Sequence, residues 1–285
     1  MRRTSTIIFL AIDDLIPVAG EPAAGLGEFS AKLDHAGIPA VWLTERARLQ
    51  LDAARRKLGH SHPFIGEDGC GIYLPQDYFH LRPNTGSALE RKHETVRLGR
   101  FTCIPVAELQ PAAAEALESL SRETGVPVVP LRSLPPRELA QNLGLPLREA
   151  EFARQRDFDE FFFFAGTSEL GIARFEAAAR NRNVQLRKRE ALLSLAVGAS
   201  SAKCIQALSR LYDRALQGHA LTVGVSTVEP AKGIRSVCDH FIVLTREGEG
   251  AEAGAPGRSF RSIPLRARDL WERLLDKLMR RELEF

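Results

Sequence analysis

Residues 6–12, TIIFLAI, form an unbroken apolar run rich in β-branched side chains. A strand with one solvated face alternates apolar and polar residues. An unbroken run therefore predicts a strand covered on both faces, as in a parallel sheet with helices above and below. The chain supplies such helices. LGEFSAKLDHAG (26–37) has helical apolar spacing and stops at Gly37. IPAVWLT (38–44) is a second buried strand, and ERARLQLDAARRKLG (45–59) a second helix closed by glycine. PFIGEDGCGIYLP (63–75) reads as strand, glycine-rich turn and strand. Such alternation predicts a doubly wound α/β, Rossmann-like core.

Near residue 82 the texture changes. RPNTGSALERKHETVRLGR (82–100) is polar and loop-like, VAELQPAAAEALESLSRETG (106–125) and the Pro-started SLPPRELAQNLG (133–144) are helical, and FFFF (161–164) reads as a buried strand. Regular alternation is lost, which predicts an inserted α+β domain over 83–190, with the core formed by 1–82 and 191–285. The first pattern then returns in the helix SAKCIQALSRLYDRALQG (201–218) and the strands ALTVGVS (220–226) and HFIVLT (240–245). REGEGAEAGAPGRS (246–259) reads as a flexible loop, and ARDLWERLLDKLMRREL (267–283) as a terminal amphipathic helix. Its stripe of Leu270, Leu274 and Leu278 suits packing on the core and dimerisation equally.

Composition narrows the function. The net charge of +3 is dispersed and lacks the basic face that nucleic-acid binding needs. The densest basic stretch, ARNRNVQLRKRE (179–190), is broken by apolar residues and reads as a solvated helix-to-strand edge. Cys70, Cys103, Cys204 and Cys238 are far apart with no C-x-x-C pair, so free buried thiols are expected. The N-terminus has no cleavage-site pattern and no segment approaches a membrane span, which predicts a cytoplasmic protein. His60, His62 and His80 lack ligand spacing.

In an open α/β sheet, ligands bind at the carboxyl ends of the strands, here Asp13–Asp14, Thr44 and residues 224–229. The residues at these ends resemble the haloacid dehalogenase superfamily of phosphatases, in particular its mannosyl-3-phosphoglycerate phosphatase branch. The resemblance covers nearly the whole chain. It is most specific over 37–79, where PFIGEDGCGIYLPQDYF is similar to the branch's P-F-I-x-E-N-G-x-x-I-Y-x-P-x-x-Y-F. RQRDFDEFFFF (154–164) is similar to the family's R-E-F/Y-D/S-E-P-F, and VGASSAKCIQAL (197–208) stands where the family has G-G-N-D-K-G-K and a helix.

The resemblance implies a Mg²⁺-dependent phosphomonoesterase. An Asp ending the first strand attacks phosphorus, and a second Asp two residues on serves as acid and base. A Thr/Ser and a Lys hold the phosphoryl oxygens, and one Mg²⁺ is bound by the nucleophile and later acids. On this chain the family's F-T-D-L-D-G-T-L falls on FLAIDDLI (9–16). Ala11 then occupies the nucleophile position and Asp13 the acid/base position, while Asp14 reads as a turn residue. G-D-S-x-N-D falls on GVSTVE (224–229), with Val225 at the main metal-ligand position. Asp13 and Glu229 remain as weak or lost metal ligands. Thr44, also a candidate cap of the next helix, and Lys203 keep the phosphate-holding positions. Ser200 and Ser201 add a helix N-terminus suited to an anion. Arg46, Arg48, Glu67, Asp68, Arg156, Asp159 and Glu160 match substrate-facing positions and equally suit salt bridges.

Two functions follow from this pattern. One is a phosphatase-like protein that has lost phosphoryl transfer and keeps a phosphorylated sugar or glycerate ligand, or a regulatory role. The other is an active Mg²⁺-dependent sugar-phosphate phosphatase.

Overall fold

A computed structural model describes residues 5–18, 20–79, 95–189, 192–227, 231–245, 260–264 and 269–280. The loop expected at 246–259, His80 and Glu229 lie outside the described residues. In chain order the core opens with β1 (Thr6–Ala11), α1 (Leu26–His35), β2 (Ala40–Leu43) and α2 (Arg48–Lys57). The hairpin of β3 (Phe64–Gly66) and β4 (Gly71–Leu74) and the pair β5 (Val96–Leu98) and β6 (Phe101–Pro105) come next. Then follow α3 (Gln110–Thr124), β7 (Val128–Pro130), α4 (Pro136–Leu143), α5 (Leu147–Ala153) and β8 (Glu160–Phe164). α6 (Glu169–Arg180), β9 (Val184–Arg189) and β10 (Leu192–Val197) end this middle section. The chain closes with α7 (Ser201–Ala215), β11 (Leu221–Thr227), α8 (Ala231–Arg235), β12 (His240–Thr245), β13 (Phe260–Pro264) and α9 (Leu270–Arg280).

Nine strands form one sheet in the order β13-β12-β11-β1-β2-β3-β4-β6-β5. It is parallel from β13 to β3 and antiparallel beyond. β1 is central, and its two-residue period explains the unbroken apolar run. Ile8 and Leu10 pack with Phe29 and Leu33 of α1 and Leu270, Leu274 and Leu278 of α9. Ile7 and Phe9 face the other way, against Ile205 and Leu208 of α7. The leucine stripe of α9 is therefore spent inside the chain, where Trp271 also stacks on Phe29 with ring centroids 4.9 Å apart.

A second, four-stranded sheet, β7-β8-β10-β9, carries α3 and α6. The strand memberships depart from the expected division at 83 and 191. β5 and β6 extend the large sheet, because Phe101, Cys103 and Ile104 are buried beside β4. β10 completes the small sheet before α7 begins. Short strands of a polar region pair by backbone, which a change of composition does not report. We place the crossings between the two sheets near Val106 and Gly198, where the Glu108 N–H donates to the Val197 carbonyl at 2.9 Å. The four cysteines are buried free thiols. Among the described residues no helix is long and apolar enough to cross a membrane.

Candidate functional site

A cavity of about 430 Å³ opens at the carboxyl ends of β1, β2 and β11. Ala11, Asp13, Asp14 and Thr44 line one side, and Asp68 and Gly69 of the β3–β4 turn line the floor. Arg187 of β9 and the first turn of α7 close it.

The side chains here are bound chiefly to one another. The Thr44 hydroxyl donates to Asp13 Oδ1 at 2.5 Å, and the Glu45 N–H donates to Asp13 Oδ2 at 2.9 Å. Arg46, buried behind them, holds its Nε 3.5 Å from Oδ1 and donates to the Ile16 carbonyl. Thr44 Oγ1 also accepts from the Arg46 N–H at 3.1 Å, so it shapes the loop, and the cap position of α2 falls to Ala47. The expected capping role of Thr44 is thus corrected, since α2 begins at Arg48, beyond the reach of a cap at residue 44. Asp14 accepts from the Thr227 hydroxyl at 2.5 Å, and Asp68 lies 3.5 Å from Arg187.

At the head of α7 the Ser200 hydroxyl accepts from the Lys203 N–H at 3.2 Å, and Ser201 and Ala202 line the cavity. The Lys203 side chain is exposed and does not line it. The cation that does is Arg187, three-quarters buried and absent from the sequence expectations. A signal for it exists in VQLRKR: Val184 and Leu186 pack into the small sheet's core, so Gln185 and Arg187 turn the other way. The Gln185 amide oxygen accepts from the Ala199 N–H at 2.8 Å, which pins this face of β9 to the crossing before α7.

Glu67, Arg156 and Glu160, expected to face substrate, do not line the cavity and form its support. The Glu67 carboxylate, fully buried, accepts the backbone N–H groups of Asp157, Phe158 and Asp159 at 2.9, 2.9 and 3.0 Å. Arg156 pairs with Asp159 and stacks over Phe161, and Asp157 receives Arg48 at 3.0 Å and the Tyr73 hydroxyl at 2.8 Å. Glu160 pairs with Arg132 at 3.0 Å. Buried polar residues in a motif look alike from sequence whether they grip ligand or backbone.

Two buried carboxyls share one guanidinium here, so one of them keeps its proton. Burial pushes the Asp159 carboxyl up to about 8 against the pull of Arg156, and the Glu67 carboxylate adds to the rise. In the unfolded chain the same group ionises near about 4. Folding thus favours the protonated form: this contribution is complete below about 4 and is lost as pH rises through about 8. Urea unfolding between pH 5 and 9 should show stability falling with pH in the native chain and a flatter profile in Asp159→Asn. Equal slopes would remove Asp159 as the cause.

Ala11 and Val225, which the sequence places at one reaction centre, turn to opposite faces of the sheet. Ala11 packs on the α7 side, whereas Val225 is fully buried with Leu10 and Ile12 on the α1 side. β1 and β11 pair with Leu10 opposite Val225, so the neighbour of Ala11 in that register is Ser226. The correction follows from the two-residue period of a strand, which motif alignment ignores. For Mg²⁺, which takes oxygen ligands in near-octahedral array, the described residues do not fit. Ala11 offers a methyl group, Val225 an isopropyl group in the core, and no cluster of three potential ligands occurs among the described residues.

The fold is shared with solved structures. A phosphatase of the haloalkanoate enzyme superfamily from Bacteroides thetaiotaomicron matches with a TM-score of 0.62 and 15% identity, over 96% of this chain and 95% of that one. A sugar phosphatase of HAD subclass IIB matches with a TM-score of 0.59 and 11% identity, over 95% of this chain and 98% of that one. The fold is that of the haloacid dehalogenase superfamily. In sequence this chain is similar to glucosyl-3-phosphoglycerate/mannosyl-3-phosphoglycerate phosphatases. That of Methanococcoides burtonii is 28% identical over 125 residues, 44% of this chain and 43% of the relative. That of Persephonella marina is 22% identical over 197 residues, 68% of this chain and 67% of the relative. The first match thus spans less than half of the relative's length. No family model matches.

Proposed function

We propose that this haloacid dehalogenase-type protein binds a phosphorylated sugar or glycerate derivative without hydrolysing it. The observation that supports this most is Ala11, whose methyl group lines the cavity at the end of the central strand. By the resemblance an attacking carboxylate stands there. Among the described residues the other lining carboxylates are engaged, Asp13 by Thr44, Glu45 and Arg46, Asp14 by Thr227 and Asp68 by Arg187. Removing a covalent nucleophile costs several orders of magnitude in rate. Binding requires less. Arg187 and the N–H groups that open α7 offer charge and donors to a phosphate, and backbone donors at a helix start favour anions.

Two measurements test this reading. With added Mg²⁺, an aryl phosphate and mannosyl-3-phosphoglycerate should release no phosphate above background. Metal-dependent turnover would establish the active phosphatase instead. By calorimetry, mannosyl-3-phosphoglycerate should bind the native chain and bind Arg187→Gln about tenfold or more weakly, the usual cost of a charged hydrogen bond. Absence of binding to the native chain would refute a retained ligand site.

A further inference from the structure

We propose that the opposite end of the sheet carries a second binding site, selective for a phosphate or phosphomonoester. A cavity of about 440 Å³ lies there, lined by Arg55 and Arg56 at the end of α2, by His60, and by Arg100 and Phe101 at the start of β6. It is remote from Ala11 and Thr44. The parallel strands place those residues at their carboxyl ends, whereas this cavity adjoins the end of antiparallel β4.

Arg55 carries the argument. Its side chain lies beneath the rings of Phe64 and Phe101, with the guanidinium carbon 4.9 and 5.2 Å from their centroids, and only 5% of the residue is exposed. One nitrogen donates to the His62 carbonyl at 3.0 Å, and Nε has no hydrogen-bond partner. No carboxylate among the described residues lies within ion-pair distance of it; the nearby Asp52, whose charge favours that of Arg55, bonds to Arg100 at 2.9 Å. A buried charge with an idle donor is costly unless something compensates it. Burial and the neighbouring Arg100 both work against the charge of Arg55. Arg56 adds a further guanidinium without a partner among the described residues. Guanidinium forks match tetrahedral oxyanions better than single cations do.

His60 narrows the class. Its Nε2 lies 2.8 Å from the Ala40 carbonyl, which fixes the proton on that nitrogen. Nδ1 is therefore an acceptor, and it is buried without a partner. Of the residues that line the cavity, one thus carries an unused donor and another an unused acceptor. Hydrogenphosphate and monoprotonated phosphomonoesters offer acceptor oxygens and one O–H, whereas sulfate at neutral pH offers acceptors alone.

The test is titration of the full chain with inorganic phosphate, observed by calorimetry and by the Nε–H resonance of Arg55. A saturable shift of that resonance is expected, with sulfate binding more weakly. Exposed Arg56 and Arg100 can be replaced without disturbing the core, and Arg56→Gln/Arg100→Gln should weaken the response about 10- to 100-fold. Arg187→Gln, at the other cavity, should leave the shift of the Arg55 resonance unchanged, whatever heat the first cavity contributes. An unmoved Arg55 resonance, a shift of it by sulfate equal to that by phosphate, or a shift lost in Arg187→Gln and kept in the double variant would each overturn the proposal.

Discussion

Replacing Glu67 by alanine is expected to lower the stability of the chain by about 3–5 kcal/mol, the loss seen when a buried charged partner is removed. Three backbone N–H groups, those of Asp157, Phe158 and Asp159, would lose their acceptor in a place water does not reach. Arg156, 3.9 Å away, would lose a neighbouring carboxylate. Glu67 also adopts φ 49°, a left-handed conformation that costs a non-glycine residue energy and persists only because these bonds demand it. Glu67→Gln keeps the shape and one acceptor oxygen, so it should lose less. Urea unfolding of both variants decides the matter: a loss near zero for Glu67→Ala would mean that the carboxylate is incidental to the join between the sheets.

Gly69→Ala should lose about 3 kcal/mol or more by the same measurement, combining left-handed strain with a backbone collision. Gly69 has φ +89°, and a Cβ there would stand 2.2 Å from the Ser201 backbone nitrogen. That nitrogen opens α7 and cannot move without breaking the contact between the Gly69 carbonyl and the Ser200 N–H, 2.9 Å. The variant should also weaken ligand binding at the neighbouring cavity, whose floor is this turn. A variant as stable as the native chain would show that the turn and α7 are not tightly docked.

Much of the fold was legible because burial on two faces leaves a plain mark. TIIFLAI, the glycine-ended helices and HFIVLT match β1, α1 and β12 closely. The candidate site was legible in parts. Asp13, Thr44, Asp68, Ser200 and Ser201 all line the cavity because each ends or begins an element at the carboxyl edge of the sheet. Lys203 and Val225 were misplaced for a geometric reason: one residue along a helix or strand turns a side chain away, and motif alignment carries position without direction. Arg187 went unread because its strand is basic on average, while only one face of it meets the core.

Glu67 reaches across the join between the two sheets, from the turn beneath the cavity to the segment that enters β8. With Arg48 gripping Asp157 from the core side as well, the walls of the cleft share a keystone. Such a cleft is a mould set when the chain folds, and its ligand meets a shape already decided. Association should then follow a single exponential whose rate rises linearly with ligand concentration, without the plateau that a slow closing step imposes.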